Sequence, residues 1–230
     1  MPERKIIKQA FLRTIPVMMG YGVLGMAFGL LLQRAGYHWL WALGISLFVF
    51  AGSMQFVLVG LLAQQASLAT VLLTTILVNS RHIFYGLSFI ERFKAMGRRG
   101  LYMIFGLTDE TYALLCGLGD VGTQKDRDAL SFWITLLDQG YWVAGSTFGA
   151  LLGSYVTLDI TGIDFAMTAL FTVIFVEQWT AVKNHIPAIV GGVCSIVSLV
   201  WLGPGNFLLP ALIATVTILL ILRKRLGVHI

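Results

Sequence analysis

Charge is what this sequence has least of. Only 12% of its 230 residues are Asp, Glu, Lys or Arg, about half the share of a soluble domain. There are two cysteines, and both Cys116 and Cys194 fall inside apolar runs, so no disulfide framework is implied. The ten-residue alternation of a membrane β-barrel is absent. So are HExxH and a G-x-S-x-G around Ser53, which removes the usual support for an intramembrane Ser53–His82 dyad, and the chain reads as no enzyme. No G-x-x-x-x-G-K occurs, so any ATPase would be another chain. The formal net charge of +5 comes from residues clustered at segment ends, a membrane-topology pattern rather than a nucleic-acid footprint. Neither a cofactor nor a metal site is implied.

What is there is apolar surface: 57% of the residues are hydrophobic and the mean hydropathy is +0.84. Runs of about 20 such residues recur along the whole length, which makes this an all-α polytopic membrane protein. The runs are Ile15–Leu32, Leu40–Ala63, Ala66–Ile90, Leu101–Gly119, Ala129–Gly153, Asp164–Trp179, Pro187–Leu202 and Phe207–Leu222. The first is too long for a signal peptide and is read as a retained helix. A single transmembrane domain over 1–230 is expected, with a cytoplasmic tail at 223–230.

Polar residues sit where a membrane helix can least accommodate them. Asn79-Ser80-Arg81-His82 interrupts Ala66–Ile90, Asp109-Glu110 is centred in Leu101–Gly119, Asp138 lies in Ala129–Gly153, and Glu177 breaks Asp164–Trp179. One arginine at mid-depth costs roughly 2.5–3.5 kcal/mol or more. Four deep carboxylates beside it cannot all be ionised without raised pKa values, so one or two should be protonated or paired with a cation. Carboxylates in that state are what ion coupling requires. Ala51-Gly52-Ser53-Met54-Gln55 at the centre of its run predicts an interrupted helix.

A repeat bears on topology. Gly20–Leu32 and Gly140–Leu152 share eight of thirteen positions at an offset of 120, each with a GxxxG, Gly25/Gly29 and Gly145/Gly149. Phe48, Gln55 and Phe56 echo Phe171, Gln178 and Trp179 at an offset of 123. If Leu40–Ala63 and Asp164–Trp179 turn back as re-entrant helices, six full crossings remain. The basic N-tail, the basic loop Glu91–Gly100 and the C-tail Arg223-Lys224-Arg225 then all lie inside. Asp120–Asp128 lies outside, and halves at about 13–99 and 129–205 form an inverted repeat.

Four stretches carry a family resemblance: Phe50–Phe56, Asn79–His82 followed by Tyr85-Gly86, Thr108–Ala113, and Val176–Trp179. Together, in this order and spacing, they resemble the AzlC family, the large subunits of bacterial branched-chain amino acid exporters. The resemblance implies efflux of valine, leucine, isoleucine or methionine across the cytoplasmic (inner) membrane; the charge pattern places both termini in the cytoplasm. It also implies a small AzlD-like membrane subunit as partner. With an amino acid as substrate, Arg81 can exchange Asp109 or Glu110 for the substrate carboxylate, with Ser53, Gln55, Asn79 and Gln178 offering hydrogen bonds. Met54, Phe56, Phe84 and Trp179 would contact an aliphatic side chain. His82, Asp109, Glu110, Asp138 and Glu177 are the candidates for proton or ion coupling. A channel, or a passive scaffold for a partner subunit, is the alternative.

Overall fold

The computed structural model describes residues 3–119, 121–155, 172, 175–176, 179–180, 184–203 and 207–222, without the side chains of Arg81, Ile83, Phe84, Leu208, Leu209 and Leu212. Among them regular structure is entirely helical. The helices are α1 (Glu3–Arg34), α2 (Trp39–Phe48), α3 (Gly52–Ala63), α4 (Leu68–Asn79), α5 (Arg81–Ala95), α6 (Arg98–Phe105), α7 (Asp109–Cys116), α8 (Gln124–Tyr155), α9 (Ile186–Leu202) and α10 (Leu208–Leu222). The chain divides into two compact units, Met1–Ala66 with Val78–Ile163, and Ser67–Leu77 with Asp164–Ile230. In the second, α9 and α10 pack on each other, and Trp179 stacks on His185 at 4.0 Å between ring centroids.

The first unit is built on α1 and α8, each 32 residues long. At about 1.5 Å per residue both are as long as a bilayer is thick, and among the described helices α1 is also apolar enough to cross one. Their glycines are the reason they meet. A β-carbon on Gly25 would lie 3.0 Å from the Ser146 amide nitrogen, and one on Gly29 2.5 Å from that of Ala150. From the other side, a β-carbon on Gly145 would lie 2.9 Å from the Tyr21 carbonyl, and one on Gly149 would overlap Met26. Two GxxxG motifs therefore let the backbones touch. The contacts are reciprocal: Gly29 meets Ser146, the counterpart of Met26 at the repeat offset, and Gly149 meets Met26.

The order of these contacts corrects the inverted repeat. They rise together along both helices, from Gly25 with Trp142 and Gly145, through Gly29 with Ala150, to Leu30 and Gln33 with Gly153. The two helices thus run in the same sense, as two copies related by an axis along the helices must. Opposed copies would pair the end of one with the start of the other.

The long apolar runs between them are broken. Helix α2 stops at Phe48 and α3 starts at Gly52, with Phe50 buried and held at φ 41. A bulky residue in that region is strained by about 1–3 kcal/mol. The lapse between α4 and α5 falls on Ser80, whose backbone stays right-handed (φ −53, ψ −30). A third break, at Gly106-Leu107-Thr108, lies in a run expected to be a continuous span. It separates α6 from α7. Met103 before the break and Leu115 and Leu118 after it lie in one buried cluster with Ile6, Ala10, Phe93, Leu130 and Ile134.

That cluster marks one end of the unit, where Arg13 and Arg92 are engaged. Arg13 donates to the Leu118 carbonyl (3.2 Å). Arg92 donates to the Asp128 carboxylate (3.2 Å), the Arg127 carbonyl (3.0 Å) and the Ser131 hydroxyl (2.5 Å). The loop before α8 therefore shares an end with the basic Glu91–Gly100 stretch, not the opposite end that its charge balance allowed. A capping box starts α8: the Thr123 hydroxyl accepts from the Asp126 amide (3.3 Å), and the Asp126 carboxylate accepts from the Thr123 amide (3.0 Å).

Candidate functional site

One turn of α8 holds the broken helices in place. An interrupted helix leaves orphan carbonyls and amides that water cannot satisfy inside a membrane. The Gln139 side chain donates to the Leu47 carbonyl at the end of α2 (3.0 Å) and accepts from the Tyr102 hydroxyl on α6 (2.6 Å). Trp142 donates its indole N–H to Gln55 on α3 (2.9 Å), whose Oε1 also accepts from the Ala51 amide at the break (3.2 Å). Gln55 in turn donates its side-chain N–H to the Ser46 hydroxyl on α2 (3.2 Å). Phe50 and Phe105, beside the two breaks, face each other at 6.3 Å between centroids. Both breaks thus converge on residues 138–142.

Replacing Gln139 by leucine strands the Leu47 carbonyl and the Tyr102 hydroxyl at about 1–3 kcal/mol each. Thermal unfolding in detergent should show Tm lower by about 5–10 °C. An unchanged Tm would mean that Gln139 does not bridge the two breaks.

The third residue of this turn, Asp138, is fully buried. Its Oδ2 accepts from the Thr111 hydroxyl (2.9 Å), and its Oδ1 has no hydrogen-bond partner. Thr111 belongs to the first turn of α7, where Thr108 is the N-cap and accepts from the Thr111 amide (3.3 Å). The Thr108 hydroxyl also reaches those of Thr111 (3.1 Å) and Tyr21 on α1 (2.8 Å). Tyr21 donates to the Glu110 carboxylate (2.6 Å), and its ring stands edge-on to Trp142 at 5.1 Å. Asp138 is fully enclosed while Glu110 is exposed. A buried carboxylate with one oxygen unsatisfied is expensive, and a proton or a cation completes it.

The other candidates are placed as follows. Gln55 is fully buried with both ends of its amide engaged, so in this conformation it closes the α2–α3 break. Ser53, on the first turn of α3, and Asp109, on the first turn of α7, are half-buried. Asn79 ends α4, and its carbonyl lies 3.1 Å from His82 Nδ1. The His82 ring meets Tyr85 edge-on at 5.8 Å, and Tyr85 stacks on Tyr112 of α7 at 4.7 Å, which ties α5 to α7. Arg81 opens α5, and its side chain lies outside the described residues, as do Glu177 and Gln178. Trp179 belongs to the second unit, against His185. Tyr21, Thr108, Thr111 and Trp142 were not among the site residues that the sequence offered, although Thr108 and Thr111 lie in the stretch Thr108–Ala113. Thr108 had a further local signal, a hydroxyl residue just before two carboxylates at a helix start.

Sequence comparison places this arrangement among known proteins. The profile of the AzlC protein family matches residues 16–156. The chain is 39% identical, over 219 residues, to the branched-chain amino acid transport protein AzlC of Bacillus subtilis, covering 95% of this chain and 86% of that protein. To an uncharacterized membrane protein of Helicobacter pylori it is 43% identical over 222 residues, 96% of this chain and 97% of that protein. To the inner membrane protein YgaZ of Escherichia coli it is 27% identical over 166 residues, 71% of this chain and 68% of that protein. No solved structure matches the chain.

Proposed function

The chain belongs to the AzlC family, and from that premise we propose that it exports branched-chain amino acids across the bacterial cytoplasmic membrane by coupling to protons. In this reading it is the large subunit of a two-component secondary transporter whose partner is a small AzlD-like membrane protein. Support for the substrate class comes from the Bacillus subtilis relative, a branched-chain amino acid transport protein. The observation that carries the coupling is Asp138, enclosed at the turn of α8 where two broken helix pairs converge, with Oδ1 unsatisfied. Such a carboxylate changes its interactions when it gains or loses a proton, and so biases one arrangement of the breaks over another.

Orientation follows from charge. Arg13, Arg92 and Arg127 share one end of the first unit, with Lys5, Lys8 and Lys94 close by in sequence, and that end is cytoplasmic. Helices α6 and α7 then form a re-entrant pair entering from the cytoplasm, and α2 and α3 one entering from outside. Arg81 receives the carboxylate of the substrate. Purified chain and partner in proteoliposomes should drive valine against its gradient when a pH gradient is imposed. Equilibration without accumulation would identify a channel instead, and full activity of the single chain would remove the partner.

A further inference from the structure

We propose that Tyr21, Thr108 and Thr111 form a proton relay between Glu110 and Asp138. The proposal rests on the reading of Asp138 as the site of the coupled proton, and it assigns the route by which that proton arrives. The five groups come from three helices and are joined by four links of 2.6, 2.8, 3.1 and 2.9 Å in the order Glu110, Tyr21, Thr108, Thr111, Asp138. One end is exposed and the other fully buried. A carboxylate enclosed in this way has no access to water of its own, so a path through side chains is what it needs.

Counting hydrogens separates this chain from a structural network. Each hydroxyl carries one proton to donate and accepts through its lone pairs. Three hydroxyls therefore serve three of the four links when both carboxylates are ionised, and one oxygen–oxygen approach is left without a proton. One added proton on either carboxylate completes all four. With the proton on Glu110, every hydroxyl points towards Asp138. With the proton on Asp138, every hydroxyl points back.

Transfer is then a concerted reversal. Glu110 gives its proton to the Tyr21 oxygen, Tyr21 gives its own to Thr108, Thr108 to Thr111, and Thr111 to Asp138 Oδ2. One O–H bond breaks and one forms at each hydroxyl, and the net change is one proton moved from Glu110 to Asp138. Among the described residues, Glu110 of α7 is the titratable group that acts on Asp138, and Asp138 in turn acts on Tyr21 of α1 and Tyr102 of α6. Tyr102 donates to Gln139 and stands outside the relay. The Tyr21 ring is held edge-on by Trp142, so the hydroxyl can be removed with the packing kept.

The test is a pH jump followed by time-resolved infrared spectroscopy on the full chain with its partner subunit in proteoliposomes. The carboxylic C=O band of Asp138 is identified by its loss in Asp138→Asn. In Tyr21→Phe the band should still form at equilibrium, but its rise should slow at least about tenfold. Thr111→Val should slow it similarly, and Thr111→Ser, which restores a hydroxyl, should recover most of the wild-type rate. Should Tyr21→Phe not fold, the Thr111 pair decides by the same readout. A wild-type rate in Tyr21→Phe or Thr111→Val, or Thr111→Ser as slow as Thr111→Val, overturns the relay alone. Absence of any pH-dependent Asp138 band in the wild type overturns the coupling assignment, and the relay with it.

Discussion

Gly29→Leu is expected to lose most of the folded protein, and Gly149→Leu to do the same. At both positions a β-carbon would collide with the backbone of the facing helix, Ser146 for Gly29 and Met26 for Gly149. Backbone cannot rotate away as a side-chain tip can, so the two helices must separate. Overpacking costs about 1–3 kcal/mol where side chains can adjust, and more where they cannot. Stability is only about 5–15 kcal/mol in total, so Tm should fall by roughly 10 °C or more. The control lies in the same helix: Gly20 and Gly22 have nothing within 4 Å of a β-carbon. Gly20→Ala and Gly22→Ala should leave Tm unchanged or raise it slightly, because alanine is the better helix former by about 0.5–1 kcal/mol. Wild-type stability in Gly29→Leu would mean that α1 and α8 do not pack at this crossing.

Asp138→Asn should fold yet lose pH-driven accumulation by about 100-fold, the lower range for removing a proton-transferring group. The asparagine oxygen can still accept from Thr111, so the register between α7 and α8 is kept. What disappears is the ability to gain and lose a proton inside the bundle. Asp138→Leu differs in kind. It leaves the buried Thr111 hydroxyl without its acceptor, at a cost of about 1–3 kcal/mol, so its Tm should fall below that of the asparagine variant. Efflux measured with and without an imposed pH gradient, beside thermal unfolding of both variants, separates the two effects. Undiminished pH-driven efflux in Asp138→Asn would remove this carboxylate from the coupling.

Sequence patterns reached some of these residues and not others, for identifiable reasons. The GxxxG pairs, the break within Leu40–Ala63 and the buried Asp138 were all legible, because small residues and polar groups inside an apolar run have few uses there. Gln55 was legible as an oddity but not as a part. Whether a buried amide faces a substrate or closes a helix break depends on Trp142, 87 positions away. Tyr21 looked like one aromatic among many, since a tyrosine hydroxyl has meaning only through the group it reaches.

The sequence alone determined that this is a helical membrane protein of the AzlC family, with breaks at polar points in its apolar runs. Composition and run length decide those matters locally, through the cost of burying charge and bare backbone in lipid. Only the tertiary structure decided that α1 and α8 run in the same sense, that the run Leu101–Gly119 is broken at Gly106–Thr108, and that Glu110 is linked to Asp138. A run of apolar residues specifies how much chain lies in the membrane, not the direction in which it travels. Direction depends on which distant backbone and side-chain groups satisfy one another. Here those are Gln139 with Leu47, Thr111 with Asp138, and Gly29 against Ser146, pairs that no local pattern encodes.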